Sequence, residues 1–469
     1  MESKMKKLMM IFAVLAIAFF VSCSNTSEKK ETVDTGDTEP TDTGDTGDTD
    51  TAEPTDTTDP TNPTEPTDDP TDPTGQEEGS WEAKYKKADD HAAEVSKDVV
   101  KANNDLGMKL FNALASEEAG KNMMISPLSI SIAMAMVTNG ATDESLDEMK
   151  EVLGFGEMEL PDVNEQFKQL IASLVEADKD MVLEIADSLW LDDAFAPAVK
   201  ADFISVLEDF YSAALFTEDF ADPATVGKIN SWVSEKTHEK IDKIIDEIGA
   251  NTVMYIINAV YFKAAWTKAF DKNYTYNGRF FLSDGSMKET EMMYAGGDTY
   301  EFRIDDENKY SIVRIPYGRG VFAFYAIVPS GKIGDFISET ADKEIASWFE
   351  NLRKSWDFEL EIPKFRFAYE KSLKETFIAL GIGQIFDGGL DNISSDVENL
   401  YISDIFHKTF IEIDEEGTEA AAVTAESGDT GGDYTPPKIM AKQPFVFVIR
   451  DERTGSILFI GKVEDPTVE

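Results

Sequence analysis

The chain has 469 residues, and its 91 Asp and Glu outnumber its 43 Lys and Arg, which gives a formal net charge of −48 at pH 7. This acidity argues against binding to nucleic acid or to anionic lipid, since both need basic patches. With a single cysteine, Cys23, an intrachain disulfide and a thiolate metal cluster are excluded.

The N-terminal residues predict an export signal. A basic start is followed by a nearly unbroken apolar run at residues 8–21, which is too short for a membrane-spanning helix and typical of a secretory signal. The run ends in Phe-Val-Ser-Cys at residues 20–23, which resembles the bacterial lipobox, although Phe20 stands where leucine is usual. We expect residues 1–22 to be a lipoprotein signal peptide and Cys23 to be the lipidation site. An ordinary cleaved signal with an incidental cysteine is the alternative.

Residues 23–80 predict an acidic, disordered tether. Repeats built from Thr, Asp, Pro, Gly and Glu leave almost no apolar side chain, so the segment cannot offset the entropy of becoming ordered. Like-charge repulsion and proline stiffness extend such a segment. Calcium binding is a weaker interpretation, because the spacing lacks the glycine and closing glutamate of an EF-hand loop. We expect an exported protein held at the bacterial cell envelope or surface through lipid on Cys23.

Residues 81–469 predict one domain. Helical periodicity and β-rich stretches mix without a βαβ rhythm, which indicates an α+β domain with several sheets. The predicted helices are residues 99–116, 126–139, 198–212 and 224–241. The predicted strands are residues 181–191, 252–262, 311–316, 322–328, 358–362, 445–450 and 457–463.

A series of short motifs in this domain resembles, in order, the serpin superfamily of protease inhibitors. They lie at residues 122–130 with 133, 136 and 139–141, at 229–233 with 237 and 240–241, at 258–263 with 266, and at 363–365, 380–382, 402–408, 444–445 and 459–463. The resemblance covers residues 95–466. It implies the serpin fold, with about nine helices, three β-sheets and an exposed reactive-centre loop at residues 417–444.

The segment after residue 413 has an unusual composition. Read alone, its small residues predict a short helix or an alanine-rich turn. The resemblance instead implies the hinge of an inhibitory serpin, which inserts into the main sheet as a new strand once the loop is cut. Small side chains pass between packed strands at little steric cost. The hinge residues are Glu416, Gly417, Thr418, Glu419, Ala420, Ala421, Ala422, Val423 and Thr424.

One residue of the loop departs from this pattern. Thr418, Ala420, Ala422 and Thr424 share one face of the inserting strand by period-two alternation, and continuing the alternation turns Glu426 inward. Burying an unpaired carboxylate costs several kcal/mol. We therefore hypothesise that Glu426 slows the later half of insertion.

The scissile bond is the bond that the protease cuts, and counting from the two ends of the loop predicts two different positions for it. Family spacing from Gly417 places it at Gly431-Gly432, whereas counting back from the end of the loop gives Asp433-Tyr434. We prefer the first, because the inserted length is what traps the enzyme.

The residues around the scissile bond imply the class of target. Thr430 and Gly431 suit a protease with a small primary pocket, elastase-like or subtilisin-like. Tyr434 would suit a chymotrypsin-like pocket, and Asp429 or Asp433 one that prefers acidic residues.

Five further residues match the parts of serpins that move during insertion. Ser126, Ser129, Asn258 and His407 match the polar cluster called the shutter, whose groups can exchange hydrogen bonds as the strands part. Trp266 matches the tryptophan at the breach, where insertion begins.

The resemblance implies a monomeric suicide-substrate inhibitor of a serine, or alternatively a cysteine, protease. A non-inhibitory surface protein with a binding or structural role is the alternative. A hydrolase is disfavoured, since His91, His238 and His407 lie in no nucleophile or zinc motif. We expect no catalytic residue, no cofactor, no metal site and no nucleic-acid partner.

Overall fold

The computed structural model of the protein describes residues 11–22, 80–305, 307, 309–394, 396–397, 399–416 and 435–468. Several predictions lie outside these residues. They are the lipidation of Cys23, the tether up to residue 79, the hinge residues 417–424, Glu426, and both candidate scissile bonds within residues 430–434.

The described residues contain nine α-helices. They are α1 (Trp81–Glu94), α2 (Lys97–Glu117), α3 (Pro127–Thr138), α4 (Asp143–Val152), α5 (Leu160–Leu174), α6 (Ala201–Tyr211), α7 (Ala224–Lys236), α8 (Ile333–Thr340) and α9 (Lys374–Leu380). Within this part of the chain, none of the helices combines the length and the apolar sequence needed to cross a membrane.

Fifteen strands accompany the helices in the same residues. They are β1 (Ile11–Ser22), β2 (Met123–Ile125), β3 (Met181–Asp192), β4 (Ala214–Glu218), β5 (Thr252–Ala264), β6 (Tyr276–Phe281), β7 (Met287–Asp305), β8 (Tyr310–Tyr317), β9 (Phe322–Pro329), β10 (Arg353–Pro363), β11 (Phe365–Ser372), β12 (Tyr401–Ile413), β13 (Lys438–Met440), β14 (Phe445–Asp451) and β15 (Ile457–Val463).

The main sheet has six strands in the order β11-β12-β1-β5-β3-β4. Its unusual member is β1, which comes from the apolar run of the predicted signal segment. This strand lies between β5 and β12 and is antiparallel to both. The two neighbours are therefore parallel to each other and are held apart by one strand along their length.

The remaining strands form a nine-stranded ladder. The long strand β7 belongs to two regions of it: β6, β10 and β13 accompany its first part, while β8, β9, β14, β15 and β2 continue from its second part. Together with the six-stranded sheet these regions are the three predicted sheets. The predicted serpin-type α+β fold is confirmed.

Strand β5 shows how the main sheet separates two hydrophobic layers. Successive side chains of a strand point to opposite faces. On one face Ile256 and Phe262 join the large core that contains α3, and on the other Tyr255 and Tyr261 join a smaller cluster beneath α7. Strand β5 is thus buried on both faces, and α3, every residue of which is buried, lies in the large core on one of them.

Candidate functional site: the base of the loop and the polar cluster of the main sheet

The loop at residues 417–434 connects the two sheets. It follows the end of β12 in the six-stranded sheet, and the chain returns through β13, which pairs with β10 in the nine-stranded ladder. A strand formed by the beginning of this loop would fold back beside β12 and run antiparallel to it. This is the direction in which β1 runs in the structure.

The residues just before the loop are held by Trp266, the predicted breach residue. Its indole nitrogen donates a 3.0 Å hydrogen bond to the carbonyl oxygen of Asp414. The indole ring also stacks on Tyr317, with ring centroids 4.5 Å apart and an interplanar angle of 6°. The structure therefore places Trp266 between the core and the base of the loop, where it fixes the backbone from which the loop departs.

The acidic side chains at the base of the loop lie in a network of hydrogen bonds and ion pairs. Glu415 accepts a 2.6 Å hydrogen bond from the hydroxyl of Thr275, and one of its oxygens lies 3.2 Å from Nζ of Lys364. Glu416, the first hinge residue, pairs with Lys272 and donates its backbone N–H to Asp414 at 2.8 Å. These contacts hold the beginning of the hinge against the domain.

Burial shifts the ionisation of this acidic segment. It raises the pKa of Asp414 to about 6, and the negative charge of Glu415 adds to the effect. For Glu415, burial is opposed by the hydrogen bond from Thr275 and by the charge of Lys364, so that its pKa is lowered. Of these two neighbours, Glu415 is therefore the one whose charged form the surroundings favour.

The predicted shutter residues meet on the face of the sheet that packs against α3. Ser126 caps this helix, and its hydroxyl accepts the backbone N–H of Ser129 at 3.3 Å. The hydroxyl of Ser129 donates to the side-chain oxygen of Asn258 in β5. His407 completes the set from β12, because its Nε2 accepts the backbone N–H of Ser126 at 3.3 Å. All four side chains are buried.

The structure adds Asp187 of β3 to this cluster, a residue that the sequence analysis missed. Its Oδ1 accepts a 2.8 Å hydrogen bond from the side-chain nitrogen of Asn258, its pairing partner in β5. Among the described residues its second oxygen has no hydrogen-bond partner. The signal available in the sequence was weak, because the mostly apolar stretch at residues 181–191 carries two acidic residues, Glu184 and Asp187.

The two titratable members of the cluster have pKa values shifted by burial. Burial raises the pKa of Asp187 to about 7, against the opposing effect of the hydrogen bond from Asn258. Burial also lowers the pKa of His407 to about 3. In both residues the low-dielectric surroundings favour the neutral form.

Strand β1 divides this cluster into two parts. Its residue Ile17 is the pairing partner of Asn258 on one side and of His407 on the other. Asn258 hydrogen-bonds to Asp187 and Ser129, while His407 hydrogen-bonds to the backbone of Ser126. Each part keeps hydrogen bonds of its own when a strand lies between β5 and β12, and the two parts stay joined on α3 by the bond between Ser126 and Ser129.

Helix α7 covers the opposite face of the sheet. Ile229 and Val233 of α7 pack into the smaller cluster with Tyr255 of β5. Asn230 fastens the helix to the chain that leads into β5, because its side chain accepts the backbone N–H of Ile244 at 2.8 Å and donates to the carbonyl of residue 245 at 2.9 Å. The motif at residues 229–233 therefore holds α7 against this face of the sheet.

Comparisons with known proteins agree with this geometry. The family model described as "Serpin (serine protease inhibitor)" matches residues 101–466. The chain is 32% identical over 375 residues to human Serpin A12, covering 79% of this chain and 89% of that protein. It is also 32% identical over 380 residues to an uncharacterized serpin-like protein of Methanosarcina acetivorans, covering 79% and 87% of the two chains.

Solved structures give the same result. Tengpin, a thermophilic serpin in its native state, superposes with a TM-score of 0.67 at 29% identity and covers 79% of this chain and 95% of its own. Human thyroxine-binding globulin superposes with a TM-score of 0.69 at 27% identity and covers 79% and 99%. The chain belongs to the serpin family. Protease inhibition is therefore the class of function that its family suggests.

Proposed function

We propose that this protein inhibits a protease by acting as its suicide substrate. The observation that carries the proposal is the slot between β5 and β12. This slot adjoins the base of the loop, and in the structure it holds a complete additional strand of 12 residues, hydrogen-bonded on both edges. The main sheet can thus hold a sixth strand where a cut loop would insert.

The chemistry of trapping requires no catalytic group of the inhibitor. The nucleophile of the protease attacks the carbonyl of the scissile bond, the amine of the following residue leaves, and an acyl-enzyme ester remains. Insertion of the loop before water hydrolyses this ester displaces the protease and distorts its oxyanion hole. Every backbone group of the inserted segment then joins a ladder, at roughly 0.5–1.5 kcal/mol net for each hydrogen bond. Over about a dozen residues this sums to on the order of 10 kcal/mol or more.

The composition of the hinge supports the same mechanism. The residues that alternate onto one face, Thr418, Ala420, Ala422 and Thr424, are all small. That face would pack against the large core containing α3, where the interior has no room for a bulky or charged side chain. A hinge with these residues inserts at little steric cost.

The proposed target is a serine protease with a small primary pocket. Cleavage at Gly431-Gly432 fits such a pocket, and the alternatives at Thr430, Asp433 and Tyr434 predict different enzymes. We propose that the inhibitor acts as a monomer. We further propose that it is exported and anchored through lipid on Cys23, with residues 23–80 holding the domain away from the bacterial membrane.

The test is to incubate residues 81–469 with elastase-, subtilisin- and chymotrypsin-like proteases, followed by a denaturing gel and intact-mass measurement. We expect a complex that survives denaturation and a released C-terminal peptide whose mass identifies the scissile bond. Cleavage by every protease without any complex would refute inhibition by trapping.

Two matched variants sharpen this test. Ala422→Arg places a charged side chain on the face that inserts toward the core, so we expect it to convert the inhibitor into a substrate. Ala421→Arg adds the same side chain on the opposite face and is expected to retain most of the trapping. Equal effects of the two substitutions would contradict strand insertion.

A binding role is the second candidate, and a cavity favours it. The cavity has a volume of ≈ 350 Å³ and is lined by α2, α8 and the end of β15, including Asn112, Ser116 and the buried pair Lys462 and Glu464. Human thyroxine-binding globulin, which has the same fold, is known in complex with thyroxine. A protein that is cleaved without forming a complex, yet binds a small molecule here, would support this role.

A further inference from the structure

Trp356 in β10 is the most exposed large hydrophobic side chain among those that the structure describes, with 72% of its surface open to solvent. It belongs to neither of the two hydrophobic clusters that the described residues form. A single exposed apolar residue needs no explanation by itself. The significance of this tryptophan lies in its position relative to the loop.

Trp356 lies beside the point at which the chain returns from the loop. Strands β10 and β13 are parallel, with Glu359 paired with Lys438, and the backbone N–H of Glu359 donates a 3.1 Å hydrogen bond to the carbonyl oxygen of Pro437. Trp356 and Thr435 each precede this pair by three residues. Both therefore lie at the same end of the two strands, where the loop rejoins the domain.

A protease that cuts the loop comes close to this end of β10. The candidate scissile bonds, Gly431-Gly432 and Asp433-Tyr434, begin at most four residues before Thr435, and four residues span no more than about 14 Å. A protease domain of about 220 residues has a radius of gyration of about 17 Å. Its surface beside the active site, on the side that holds the residues after the cut, therefore reaches the strand end that carries Trp356.

The neighbours of Trp356 hold in place the strand that carries it. Phe358 is buried, and its ring centroid lies 4.4 Å from that of Phe302 in β7. Lys354, which shares a face with Trp356 by period-two alternation, forms a 3.1 Å ion pair with its pairing partner Glu301. The indole thus projects from an anchored strand beside a cation that is already paired. Tryptophan in interfaces is enriched among the residues that contribute most to binding.

We propose that Trp356 is a docking contact for the target protease outside the reactive-centre loop. It fits an apolar patch beside the part of the active-site cleft that binds the residues after the scissile bond. This role rests on the proposed function, because it takes the loop to be the segment that a protease binds. The loop selects the protease through the residues at the cut, and Trp356 adds affinity that does not depend on them.

The charge of the chain argues against a second copy as the occupant of this surface. The formal net charge is −48 at pH 7, so two copies repel each other. A protease needs no separate attraction to reach Trp356. Once its active site holds the loop, its surface is present beside the indole at a high effective concentration.

The experiment uses the full-length protein and elastase-, subtilisin- and chymotrypsin-like proteases whose catalytic serine is replaced by alanine, so that binding is measured without cleavage. The parent is compared with Trp356→Ala, Trp356→Phe and Phe281→Ala. Phe281 is the matched control, because it is 50% exposed and pairs with Met287 at the start of β7, whereas Ser355, next to Trp356, pairs with Tyr300 much farther along that strand.

Affinity is the first measurement. For the protease that binds the parent most tightly, we expect Trp356→Ala to raise the dissociation constant at least ~10-fold. Trp356→Phe should recover much of this loss, because it keeps an apolar ring, and Phe281→Ala should leave the constant unchanged. Melting temperatures equal to that of the parent exclude unfolding as the cause. Equal dissociation constants for the parent and Trp356→Ala, or no binding by any protease of the panel, would overturn the inference.

Oxidation by hydroxyl radicals, read by peptide mass, locates the contact directly. In the complex with the inactive protease we expect oxidation of Trp356 to fall at least ~5-fold as its exposed surface is covered, while that of Phe281 stays the same. Unchanged oxidation of Trp356 in the complex would overturn the inference. Protection of Trp356 in the concentrated protein alone would assign the surface to a second copy and would overturn it as well.

The same complexes separate this contact from the proposed function. If the active form of a protease cuts the parent without being trapped, while its inactive form still protects Trp356, trapping is refuted and the docking contact stands. If the active form is trapped equally fast by the parent and by Trp356→Ala, the proposed function stands and the docking contact is refuted.

Discussion

Asn258 donates a 2.8 Å hydrogen bond to Asp187, and both side chains are buried in the six-stranded sheet. The bond joins β5 to β3 on the side of the slot that does not carry the loop. A buried carboxylate whose second oxygen has no partner among the described residues favours its protonated form. The stability of the sheet at this point is therefore sensitive to pH.

The first prediction concerns Asp187→Asn. Burial raises the pKa of Asp187 from its ordinary value of 3.8 to about 7, so the folded protein binds this proton more tightly than the unfolded chain. The resulting stabilisation is present below pH 3.8 and is lost as the pH rises through about 7. Asparagine keeps the acceptor for Asn258 without the charge. We expect the variant to be more stable than the parent at pH 8, by up to about 4 kcal/mol.

The measurement for Asp187→Asn is the free energy of unfolding in urea between pH 4 and pH 8. The gain should shrink to nearly nothing at pH 4, where Asp187 is protonated in the folded protein. Asp342→Asn, on the surface, controls for the change in net charge. A gain that is the same at every pH would contradict the assignment of the effect to this carboxyl.

The second prediction concerns His407→Ala. The substitution removes the acceptor of the Ser126 N–H, and an unsatisfied buried donor costs about 1–3 kcal/mol in addition to the cavity that is left. We expect a lower melting temperature, and self-insertion or polymers on gentle heating, visible on a native gel. His238→Ala is the matched control, since that histidine is about half exposed at the surface of the domain. A His407→Ala protein that melts like the parent and stays monomeric would contradict a shutter role.

The third prediction is a different dependence on pH for His407→Gln. Burial lowers the pKa of His407 from 6.5 to about 3. The unfolded chain therefore binds this proton more tightly, and the stability present above pH 6.5 is lost as the pH falls toward 3. Glutamine removes this loss, so the variant should lose less stability than the parent between pH 6.5 and pH 4. As the pH falls over this range, Asp187 raises the free energy of unfolding of the parent and His407 lowers it. Unfolding curves of the parent and the variants at several pH values will separate the two contributions.

The fourth prediction compares two glycines. A Cβ at Gly461 in β15 would lie 2.5 Å from the carbonyl oxygen of Met123 and 2.5 Å from the ring of Phe447, whereas a Cβ at Gly227 in α7 would meet nothing within 4 Å. We expect Gly461→Ala to destabilise the protein by about 1–3 kcal/mol through overpacking. Gly227→Ala should stabilise it by about 0.5–1 kcal/mol, because alanine restricts the unfolded chain. Urea denaturation measures both, and effects of the same sign would contradict the prediction.

The fifth prediction concerns Glu426, which lies outside the described residues. If period-two alternation turns this carboxylate inward during insertion, Glu426→Ala should lower the number of inhibitor molecules consumed for each protease molecule trapped. Glu419→Ala removes a carboxylate from the opposite face and is expected to change this stoichiometry little. A titration of protease activity against inhibitor measures both. An unchanged stoichiometry in Glu426→Ala would remove the hypothesis.

Local patterns in the sequence predicted two of the elements that carry the shutter residues, the helix α3 and the strand β5, but not the strand β12. Ser126 followed by proline predicts the beginning of a helix, and α3 begins there. The physical reason is that the serine hydroxyl accepts a hydrogen bond from a backbone N–H that the start of a helix leaves unpaired. The helical spacing of the apolar residues Ile130, Met134 and Val137 predicts one apolar side for this helix. The structure buries the whole helix, since it lies inside the large core and not at its surface.

What only the tertiary structure decided is which elements lie side by side. Asp187 and Asn258 are far apart in the sequence, and their contact depends on the register between β3 and β5, which no local propensity specifies. The apolar run at residues 11–22 is an even clearer case. Its sequence is compatible with an export signal and with a buried strand, and hydrophobic periodicity does not distinguish the two. In the structure this run is a strand that pairs with the backbone donors and acceptors along the facing edges of β5 and β12.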